Sequence, residues 1–333
     1  MMHDTEPLRR SVPRHGEEGE LHPDGNALVR RTLLIVADVD GTFLDGSGCA
    51  VLSARALRDS LQQLSRRHEA RVLLAFASSR TMRELLVLQR ALSQSGPCIA
   101  EDGALIAVDT SDQVGEAPPD ITALEISAGC RRLRVWQLAR SASMLRAEFG
   151  ELVRPYELDA SDDRTMRRLG FRSASAVRRA LLERQASILL DLDGANEHAH
   201  SALCNAAQES GAHVHRGGRW HTVTHGAGKG PALAQLRHLL GAPGVAPPVM
   251  ERANDGPASV GELRVVAVGN EENDESLLSS ADVRFAICNP RTGVHPLLRA
   301  VPGVIPLMAE GTRGFVEMLE RLMAMPVFAE GRA

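Results

Sequence analysis

The fold is decided by the segment Arg31-Thr-Leu-Leu-Ile-Val-Ala-Asp38 and the four residues Val39-Asp40-Gly41-Thr42 that follow it. An unbroken apolar run of this length is typical of a strand that is buried on both faces, as in a parallel sheet. Asp38 and Asp40 come after the strand, at the end where open α/β sheets bind ligands, and Gly41 permits a sharp departure of the chain. The segment predicts two carboxylates in one crevice, although Asp and Gly are also common turn residues.

Strands and helices alternate along two stretches of the chain. The predicted helices cover 53–68, 81–93, 230–240, 275–280 and 314–323, and the predicted strands cover 31–38, 71–77, 97–100, 264–268 and 283–287. This alternation is typical of a doubly wound α/β domain. We therefore predict an α/β fold with a doubly wound, Rossmann-like parallel-sheet core.

The chain divides into a tail, a core and an insertion. Residues 1–30 are polar and show no hydrophobic period, which predicts a disordered tail. Residues 113–224 combine strand-like pieces with Arg-rich helical stretches, and we expect an inserted α+β cap domain there. The core then comprises 31–112 and 225–333. Within it, the Pro- and Gly-rich segment 243–261 is expected to be an exposed loop.

The composition excludes several classes of function. The 333 residues carry 38 basic and 42 acidic side chains, a formal net charge of −4, and 3% of them are aromatic. The negative net charge and the scarcity of aromatics argue against nucleic acid as a partner. No apolar run approaches the roughly 18 residues of a membrane span, and the N-terminal residues lack the apolar stretch that is typical of a signal peptide, so we expect neither. Five scattered cysteines favour reduced thiols and a cytoplasmic location.

One lysine, Lys229, stands among 37 arginines. Because arginine does not replace lysine where a compact ammonium must approach a charged centre, we expect Lys229 to serve such a centre; chance survival of a single lysine is the alternative. Its surroundings, Gly226-Ala-Gly-Lys-Gly230, lack the Ser or Thr that follows the lysine of a nucleotide-binding loop. We therefore do not predict such a loop.

Two further polar segments follow buried strands. Ser78 and Ser79 come after the second strand, where their hydroxyls can hydrogen-bond a phosphoryl oxygen, although a serine before a helix is more often a cap. Gly269-Asn270-Glu271-Glu272-Asn273-Asp274 follows a late strand and offers oxygen ligands that suit Mg²⁺. The alternative for this segment is an acidic helix start that the helix dipole favours.

Four polar motifs follow one another along the chain: Asp-x-Asp-Gly-Thr, Ser, Lys and Gly-Asn-x-x-Asn-Asp. In this order they resemble the four motifs of the haloacid dehalogenase-like phosphatases. The resemblance covers roughly 30–112 and 225–325. Ile99-Ala-Glu-Asp-Gly-Ala104 is similar to a segment of the subclass whose cap is inserted between the second and third motifs. Within this subclass, the chain is most similar to the mannosyl-3-phosphoglycerate phosphatases.

Three segments of the predicted cap carry this narrower resemblance. They are Ser161-Asp-Asp163 with Leu169-Gly170, the end of an Arg-rich helix at Glu183-Arg184-Gln185-Ala186-Ser187, and Gly217-Gly-Arg-Trp-His221. The family has Arg-Glu-x-Ser-Glu-Pro at the second of these, where Gln185, Ile188 and Leu189 replace Glu, Glu and Pro. This departure bears on the sugar specificity.

The resemblance implies a role for each motif residue. Asp38 would be the nucleophile that forms a phosphoaspartate, and Asp40 would be the general acid and then the base. Ser78 would bind the phosphoryl group, and Lys229 would pair with Asp38 and stabilise charge in the transition state.

The resemblance also implies Mg²⁺ as the cofactor. Its ligands would be Asp38, Asp40 through its backbone carbonyl, Asn270 and Asp274. The family has Asp at the position of Asn270. An amide oxygen can still coordinate a cation, but one negative charge is lost, so weaker Mg²⁺ binding is expected.

Candidate substrate-binding residues lie in both predicted domains. They are Thr42, Ser79, Arg80 and Asn273 in the core, and Arg184 and Arg219, with Arg178, in the cap. Arginines suit sugar phosphates and carboxylates because they form bidentate pairs with them, although a solvated basic face is the commoner role of any one arginine. Two His-x-His pairs, at 198–200 and 213–215, are an alternative site for a transition metal.

We expect a Mg²⁺-dependent phosphatase that acts on a small phosphorylated metabolite. The substrate would be a sugar phosphate or a glycosyl-3-phosphoglycerate such as mannosyl-3-phosphoglycerate. Two alternatives stay open: a non-catalytic or weakly active sugar-phosphate-binding or regulatory protein, which Asn270 motivates, and phosphoryl transfer to an acceptor other than water. Neither nucleic acid nor a membrane is expected as a partner.

Overall fold

The computed structural model describes residues 31–45, 47–111, 121–158, 175, 178, 181–192, 197–216, 220–241, 262–289 and 292–328. The predicted tail over 1–30 and the predicted loop over 243–261 lie outside these residues. Within the described part of the chain, no helix is both long and apolar enough to cross a membrane.

Strands and helices alternate as expected for an α/β protein. The strands are β1 Thr32–Ala37, β2 Arg71–Ala77, β3 Cys98–Ala100, β4 Leu105–Asp109, β5 Thr122–Ala128, β6 Arg131–Gln137, β7 Ile188–Leu190, β8 Ala212–Arg216, β9 His221–His225, β10 Leu263–Gly269, β11 Val283–Cys288 and β12 Val304–Glu310. The helices are α1 Ala54–His68, α2 Met82–Ala91, α3 Ala142–Val153, α4 Glu197–Glu209, α5 Lys229–Leu239, α6 Glu275–Ser279, α7 Pro296–Ala300 and α8 Thr312–Ala324. Single 3-10 turns lie at Glu101–Gly103 and Glu272–Asp274.

The larger sheet has nine strands in the order β12-β11-β10-β1-β2-β3-β4-β6-β5. Neighbours from β12 to β3 are parallel, and β4, β6 and β5 continue the sheet in antiparallel pairing. The chain runs outward from β1 to β3 and later returns to β10, on the other side of β1. The sheet therefore reverses its strand order between β1 and β10, and open α/β sheets bind ligands at the carboxyl ends of such strands.

Apolar side chains of β1 cover both faces of the sheet. Leu33 and Ile35 belong to a core that includes residues of α1, α2 and α8. Leu34 and Val36 belong to a second core, with residues of α5, α6 and α7. Successive residues of a strand point to opposite faces, so helices on both faces explain the unbroken apolar run. The doubly wound architecture is confirmed.

The smaller sheet forms the cap. Its strands β7, β9 and β8 are antiparallel, and they share a separate apolar cluster with α3 and α4. The chain enters this unit after β6 and leaves it before α5, so the predicted insertion of an α+β cap is present.

The predicted start of the cap at residue 113 needs a correction. β5 and β6 lie in the segment predicted as cap, but they pair with each other and with β4 in the larger sheet. The sequence did not predict β6 because only three of its seven residues are buried, so the strand lacks an apolar run. The larger sheet therefore extends to Gln137.

Close backbone contact joins α5 to α6 at Gly230, next to Lys229. A Cβ at Gly230 would lie 2.4 Å from the carbonyl oxygen of Ser276, so a larger residue must push the helices apart. Gly230→Ala is expected to lower the free energy of unfolding by about 1–3 kcal/mol, which urea titration followed by circular dichroism measures. Gly150→Ala in α3 is the control, because a Cβ there meets nothing within 4 Å and should stabilise by about 0.5–1 kcal/mol. Equal losses from both exchanges would contradict this explanation.

Candidate active site

Two carboxylates hold one ammonium at the carboxyl ends of β1 and β10. Asp38 follows β1, Lys229 begins α5, and Asp274 ends the 3-10 turn after β10. Lys229 Nζ donates to Asp38 Oδ1 and to Asp274 Oδ1, at 2.7 Å in each case. The Lys229 side chain is 1% exposed. The one lysine of the chain therefore lies in a buried charged centre.

Burial and the excess of carboxylates control the charges of this centre. Burial, with the charge of Asp274, raises the pKa of Asp38 to about 8, against the lowering effect of Lys229. Burial also opposes the ammonium form of Lys229, but Asp274 and Asp38 outweigh burial and raise its pKa. Two carboxylates face one ammonium here, so an added cation would be stabilised.

Both oxygens of Asp274 are engaged. Oδ1 accepts from Lys229, and Oδ2 accepts from the backbone N–H groups of Asn270 at 2.9 Å and Glu271 at 3.2 Å. Asp274 is fully buried. These contacts make it the anchor that holds Lys229, and its role as a metal ligand stays a prediction.

Asp40 forms a bidentate ion pair with Arg80. Arg80 Nε donates to Asp40 Oδ2 at 2.8 Å, and Nη2 donates to Oδ1 at 2.7 Å. Burial opposes the charge of Arg80, but this pairing outweighs burial and raises the Arg80 pKa further. The Asp40 side chain is 54% exposed, so it lies at the open side of the site. Arg80, predicted to bind substrate, thus contacts the predicted general acid.

The hydroxyl residues of the site are oriented by the backbone and by Asn270. Ser78 is buried after β2, and its Oγ accepts from the backbone N–H of Arg80 at 3.3 Å. Thr42 is also buried, and its Oγ1 lies 3.0 Å from the side chain of Asn270. Ser79 offers its backbone carbonyl to Arg184 at 3.0 Å. The structure therefore assembles Ser78 and Thr42 with the charged centre.

Three oxygens fit a divalent cation beside Asp38. The Asn270 amide atom that faces Thr42 lies 3.2 Å from Asp38 Oδ2 and 3.3 Å from the carbonyl oxygen of Asp40. Adjacent oxygen ligands of octahedral Mg²⁺ are about 3 Å apart, since each lies about 2.1 Å from the metal. With its oxygen in this position, Asn270 would lie at such a spacing from one oxygen of Asp38 and from the carbonyl oxygen of Asp40. The residues present therefore fit Mg²⁺.

Glu101, which lies in the segment Ile99–Ala104 but for which the sequence predicted no role, joins the core to the cap. Its carboxylate accepts from the backbone N–H groups of Gln185 and Ala186 at 2.9 and 3.0 Å, and from Ser187 Oγ at 2.7 Å. Arg184 donates to Ser187 Oγ at 2.8 Å as well as to the core. The predicted substrate-binding role of Arg184 is thus accompanied by a contact between the domains.

Asp102 is a second buried acid that links the two domains. Its Oδ2 accepts from Thr222 Oγ1 of the cap at 2.5 Å, and its Oδ1 accepts from Asn273 Nδ2 of the core at 3.1 Å. Burial raises its pKa, but His215, Lys229 and these hydrogen bonds lower it overall. In the sequence, the only sign of this turn is a pair of acidic residues, Glu101 and Asp102, between two apolar stretches.

Several predicted residues are not brought together. Arg219, Ser161–Asp163 and Leu169–Gly170 lie outside the described residues, and Arg178 is exposed. The first histidine pair lies on α4 at a spacing of two residues, while the second lies on β8 with ring centroids 6.0 Å apart. In the part of the chain that the structure describes, no three His, Cys, Asp or Glu side chains could hold a metal.

The chain is similar to known proteins in sequence and in fold. Residues 35–118 match the family model described as haloacid dehalogenase-like hydrolase. Among solved structures, protein 0175 of Thermoplasma acidophilum has 13% identity and a TM-score of 0.51, over 89% of this chain and 99% of its own. A phosphatase of this superfamily from Bacteroides thetaiotaomicron has 15% identity and a TM-score of 0.52, over 92% and 100%. A subclass IIB sugar phosphatase has 11% identity and a TM-score of 0.52, over 88% and 99%.

These likenesses establish the class of fold. The chain shares the fold of these proteins, an α/β core with a cap domain. The segment matched by the hydrolase family contains Asp38, Asp40 and Ser78.

Glu101→Gln should weaken the junction between core and cap. A single amide oxygen cannot accept from all three donors, and its NH₂ group would face N–H groups. We expect the free energy of unfolding to fall by about 2–3 kcal/mol, measured by guanidinium titration. Glu125→Gln is the control, because its pair with Arg134 is solvent-exposed and should cost less than about 1 kcal/mol. Similar losses from both variants would argue against a special role of Glu101.

Proposed function

We propose that the chain is a phosphatase that hydrolyses a small phosphorylated metabolite through a phosphoaspartate on Asp38. The observation that carries the proposal is the buried contact of Lys229 with Asp38 and Asp274, with Asp40 two residues further on. A nucleophilic carboxylate, a fixed ammonium and a second, accessible carboxylate are the groups that such a reaction needs.

The proposed reaction has two displacements. Substrate first releases Asp40 from Arg80, and Asp40 takes up a proton from the solvent. In the first displacement, an oxygen of Asp38 attacks phosphorus, the bond from phosphorus to the ester oxygen breaks, and Asp40 gives that proton to the leaving oxygen. In the second, water attacks phosphorus of the phosphoaspartate, Asp40 takes a proton from that water, and the bond to Asp38 breaks. Inorganic phosphate and the free alcohol result, and both aspartates return to their starting state.

Lys229 and Ser78 would stabilise the charge that develops on the transferred group. Lys229 is already fixed by two carboxylates, so its ammonium needs no reorganisation during the reaction. Ser78 has a hydroxyl that can donate to a phosphoryl oxygen, since its Oγ accepts from the backbone of Arg80. Arg80 would hold Asp40 at the open side of the site until substrate enters.

Mg²⁺ would be held by Asp38 Oδ2, the Asp40 carbonyl oxygen and Asn270. When bound, it would neutralise phosphoryl charge and the excess of carboxylates in the centre. The oxygen spacings of 3.2 and 3.3 Å support this choice of ligands.

The proposed substrate class is a sugar phosphate or a glycosyl-3-phosphoglycerate such as mannosyl-3-phosphoglycerate. Its support is the set of cap segments that resemble those phosphatases, together with Arg184 at the core–cap junction. A cap fastened above the site would exclude bulk water from the reacting group. A panel of phosphorylated metabolites, assayed for phosphate release with Mg²⁺, tests this class.

Asp38→Asn should abolish phosphate release. An amide cannot form the phosphoaspartate, so we expect a fall in kcat of at least about 10³-fold while the fold is kept. Release of inorganic phosphate from the best substrate of the panel is the measurement. Asp59→Asn, which changes the exposed acid of a pair with Arg55, is the matched control and should leave kcat unchanged. Equal background rates in the wild type and in Asp38→Asn would refute the proposed function.

Removal of Mg²⁺ should stop the reaction reversibly. Treatment with EDTA is expected to reduce phosphate release to background, and added Mg²⁺ should restore it.

Lys229→Arg should not be rescued at any Mg²⁺ concentration, because the planar guanidinium does not fit a buried site shaped for an ammonium. Full activity in EDTA would contradict the cation requirement, and full activity of Lys229→Arg would contradict the role of the ammonium.

A second candidate is a sugar-phosphate-binding protein that does not turn over its ligand. Asn270 favours it, because an amide in place of a carboxylate lowers the negative charge available to a cation. The two candidates differ in a titration with substrate at high Mg²⁺. Binding without phosphate release at any Mg²⁺ concentration would favour the binding protein.

A further inference from the structure

The side chain of Asn270 lies among three oxygen atoms. It is buried, and one of its amide atoms is 3.0 Å from Thr42 Oγ1, 3.2 Å from Asp38 Oδ2 and 3.3 Å from the carbonyl oxygen of Asp40. A carbonyl only accepts hydrogen bonds, and so does the Asp38 carboxylate once it is ionised, as it must be to hold a cation. Nitrogen in this position therefore donates to both, whereas oxygen in this position faces other lone pairs.

The two amide orientations suit two states of the site. With nitrogen inward, the NH₂ group donates to Asp38 and to the carbonyl oxygen of Asp40. Asp38 is buried, and a buried acceptor is costly to leave without a donor. With oxygen inward, three oxygens lie close together and need a cation among them. The two orientations differ by a half-turn of the amide about its bond to Cβ.

The neighbours of Asn270 accommodate both orientations. With oxygen inward, the Thr42 hydroxyl can donate to it. With nitrogen inward, both N–H groups are used by Asp38 and Asp40, and the Thr42 hydroxyl can turn to donate elsewhere. On the other side, Gly41 has φ +81°, and a Cβ there would lie 2.4 Å from Asn270 Nδ2. The glycine therefore leaves the room that the outer amide atom occupies in either state.

We infer that the Asn270 amide takes the place of the cation in the metal-free protein. Its nitrogen links Asp38 to Asp40 in the metal-free protein, and after a half-turn its oxygen becomes a metal ligand. An incoming cation must first displace these hydrogen bonds, so the metal-free site is stable and cation affinity is reduced. The inference rests on the proposed function, because the cation is the one that the proposed reaction uses.

Asn270→Asp is the direct test, because a carboxylate can bind a cation but cannot donate. In EDTA, we expect the thermal midpoint of the variant to fall by about 5 °C relative to the wild type. Mg²⁺ should raise the midpoint of the variant more than that of the wild type. Titration calorimetry with Mg²⁺ should give an affinity about 10- to 100-fold higher for the variant. An unchanged midpoint in EDTA, or an unchanged or lower Mg²⁺ affinity, would overturn the inference.

Asn273→Asp is the matched control. It adds the same charge to the same loop, but its side chain faces Asp102 instead of Asp38. It should lose stability in EDTA without being restored by Mg²⁺. Restoration by Mg²⁺ equal to that of Asn270→Asp would overturn the inference, because any added carboxylate would then suffice.

Asn270→Ala covers the case in which Asn270→Asp does not fold. Alanine neither donates nor ligates, so this variant should have a lower midpoint than the wild type in EDTA and should gain less from Mg²⁺ than Asn270→Asp does. A midpoint equal to that of the wild type in EDTA would overturn the inference. These melting experiments need no substrate, so they are independent of the phosphate-release assay that decides the proposed function.

The amide itself gives a spectroscopic readout. In ¹⁵N-labelled wild-type protein, the side-chain NH₂ resonance of Asn270 is assigned by its loss in Asn270→Asp. In EDTA its protons should exchange slowly with water because they are hydrogen-bonded and buried. Saturating Mg²⁺ should shift this resonance and speed the exchange, since the half-turn removes both bonds. An identical resonance and exchange rate in both conditions would contradict the half-turn.

Discussion

The buried ammonium of Lys229 is the constraint on which the rest of the site depends. Removing an ammonium from water costs several kcal/mol, and nearby carboxylates offset the cost only at close range and in good geometry. Asp38 and Asp274 meet this condition at 2.7 Å each. They come from the ends of different strands, and Lys229 comes from the start of a helix. The parallel sheet is what brings these three points of the chain together, because its strand order reverses between β1 and β10.

Close approaches of the backbone set the position of this ammonium. A Cβ at Gly103 would lie 2.2 Å from the carbonyl oxygen of Gly228, just before Lys229, and a Cβ at Gly230, just after it, would lie 2.4 Å from Ser276. The start of α5 is thus held between the 3-10 turn after β3 and the start of α6. Side chains alone could not place Nζ so closely, since a lysine has four flexible carbon–carbon bonds. The glycines supply the rigidity that the lysine lacks.

The sequence predicted what depends on burial and on strand ends, and missed what depends on contacts between distant segments. Strands covered on both faces leave unbroken apolar runs, so β1, β2 and β10 were predicted close to their observed limits. β6 carries arginines on its exposed side and was hidden in the predicted cap. The pair of Asp40 with Arg80 spans forty residues and leaves no local pattern. The resemblance of the Asn270 segment to a known motif likewise indicated a ligand, but not an amide that could donate.

The 3-10 turn at Glu101–Gly103 makes the cap part of the charged centre. Glu101 and Asp102 both adopt left-handed backbone conformations, φ 52° and 55°, which are unfavourable for residues other than glycine. The cost is offset because each buried carboxylate then receives hydrogen bonds from the cap. Glu101 accepts from the residues just before β7, and Asp102 accepts from Thr222 of β9. Asp102 also contributes to the raised pKa of Lys229. If the cap moved away from the core, Asp102 would lose the hydrogen bond from Thr222. A buried acceptor with fewer donors costs about 1–3 kcal/mol, and the field at Lys229 would change. The position of the cap and the electrostatics of the buried charged centre are therefore coupled through this one turn.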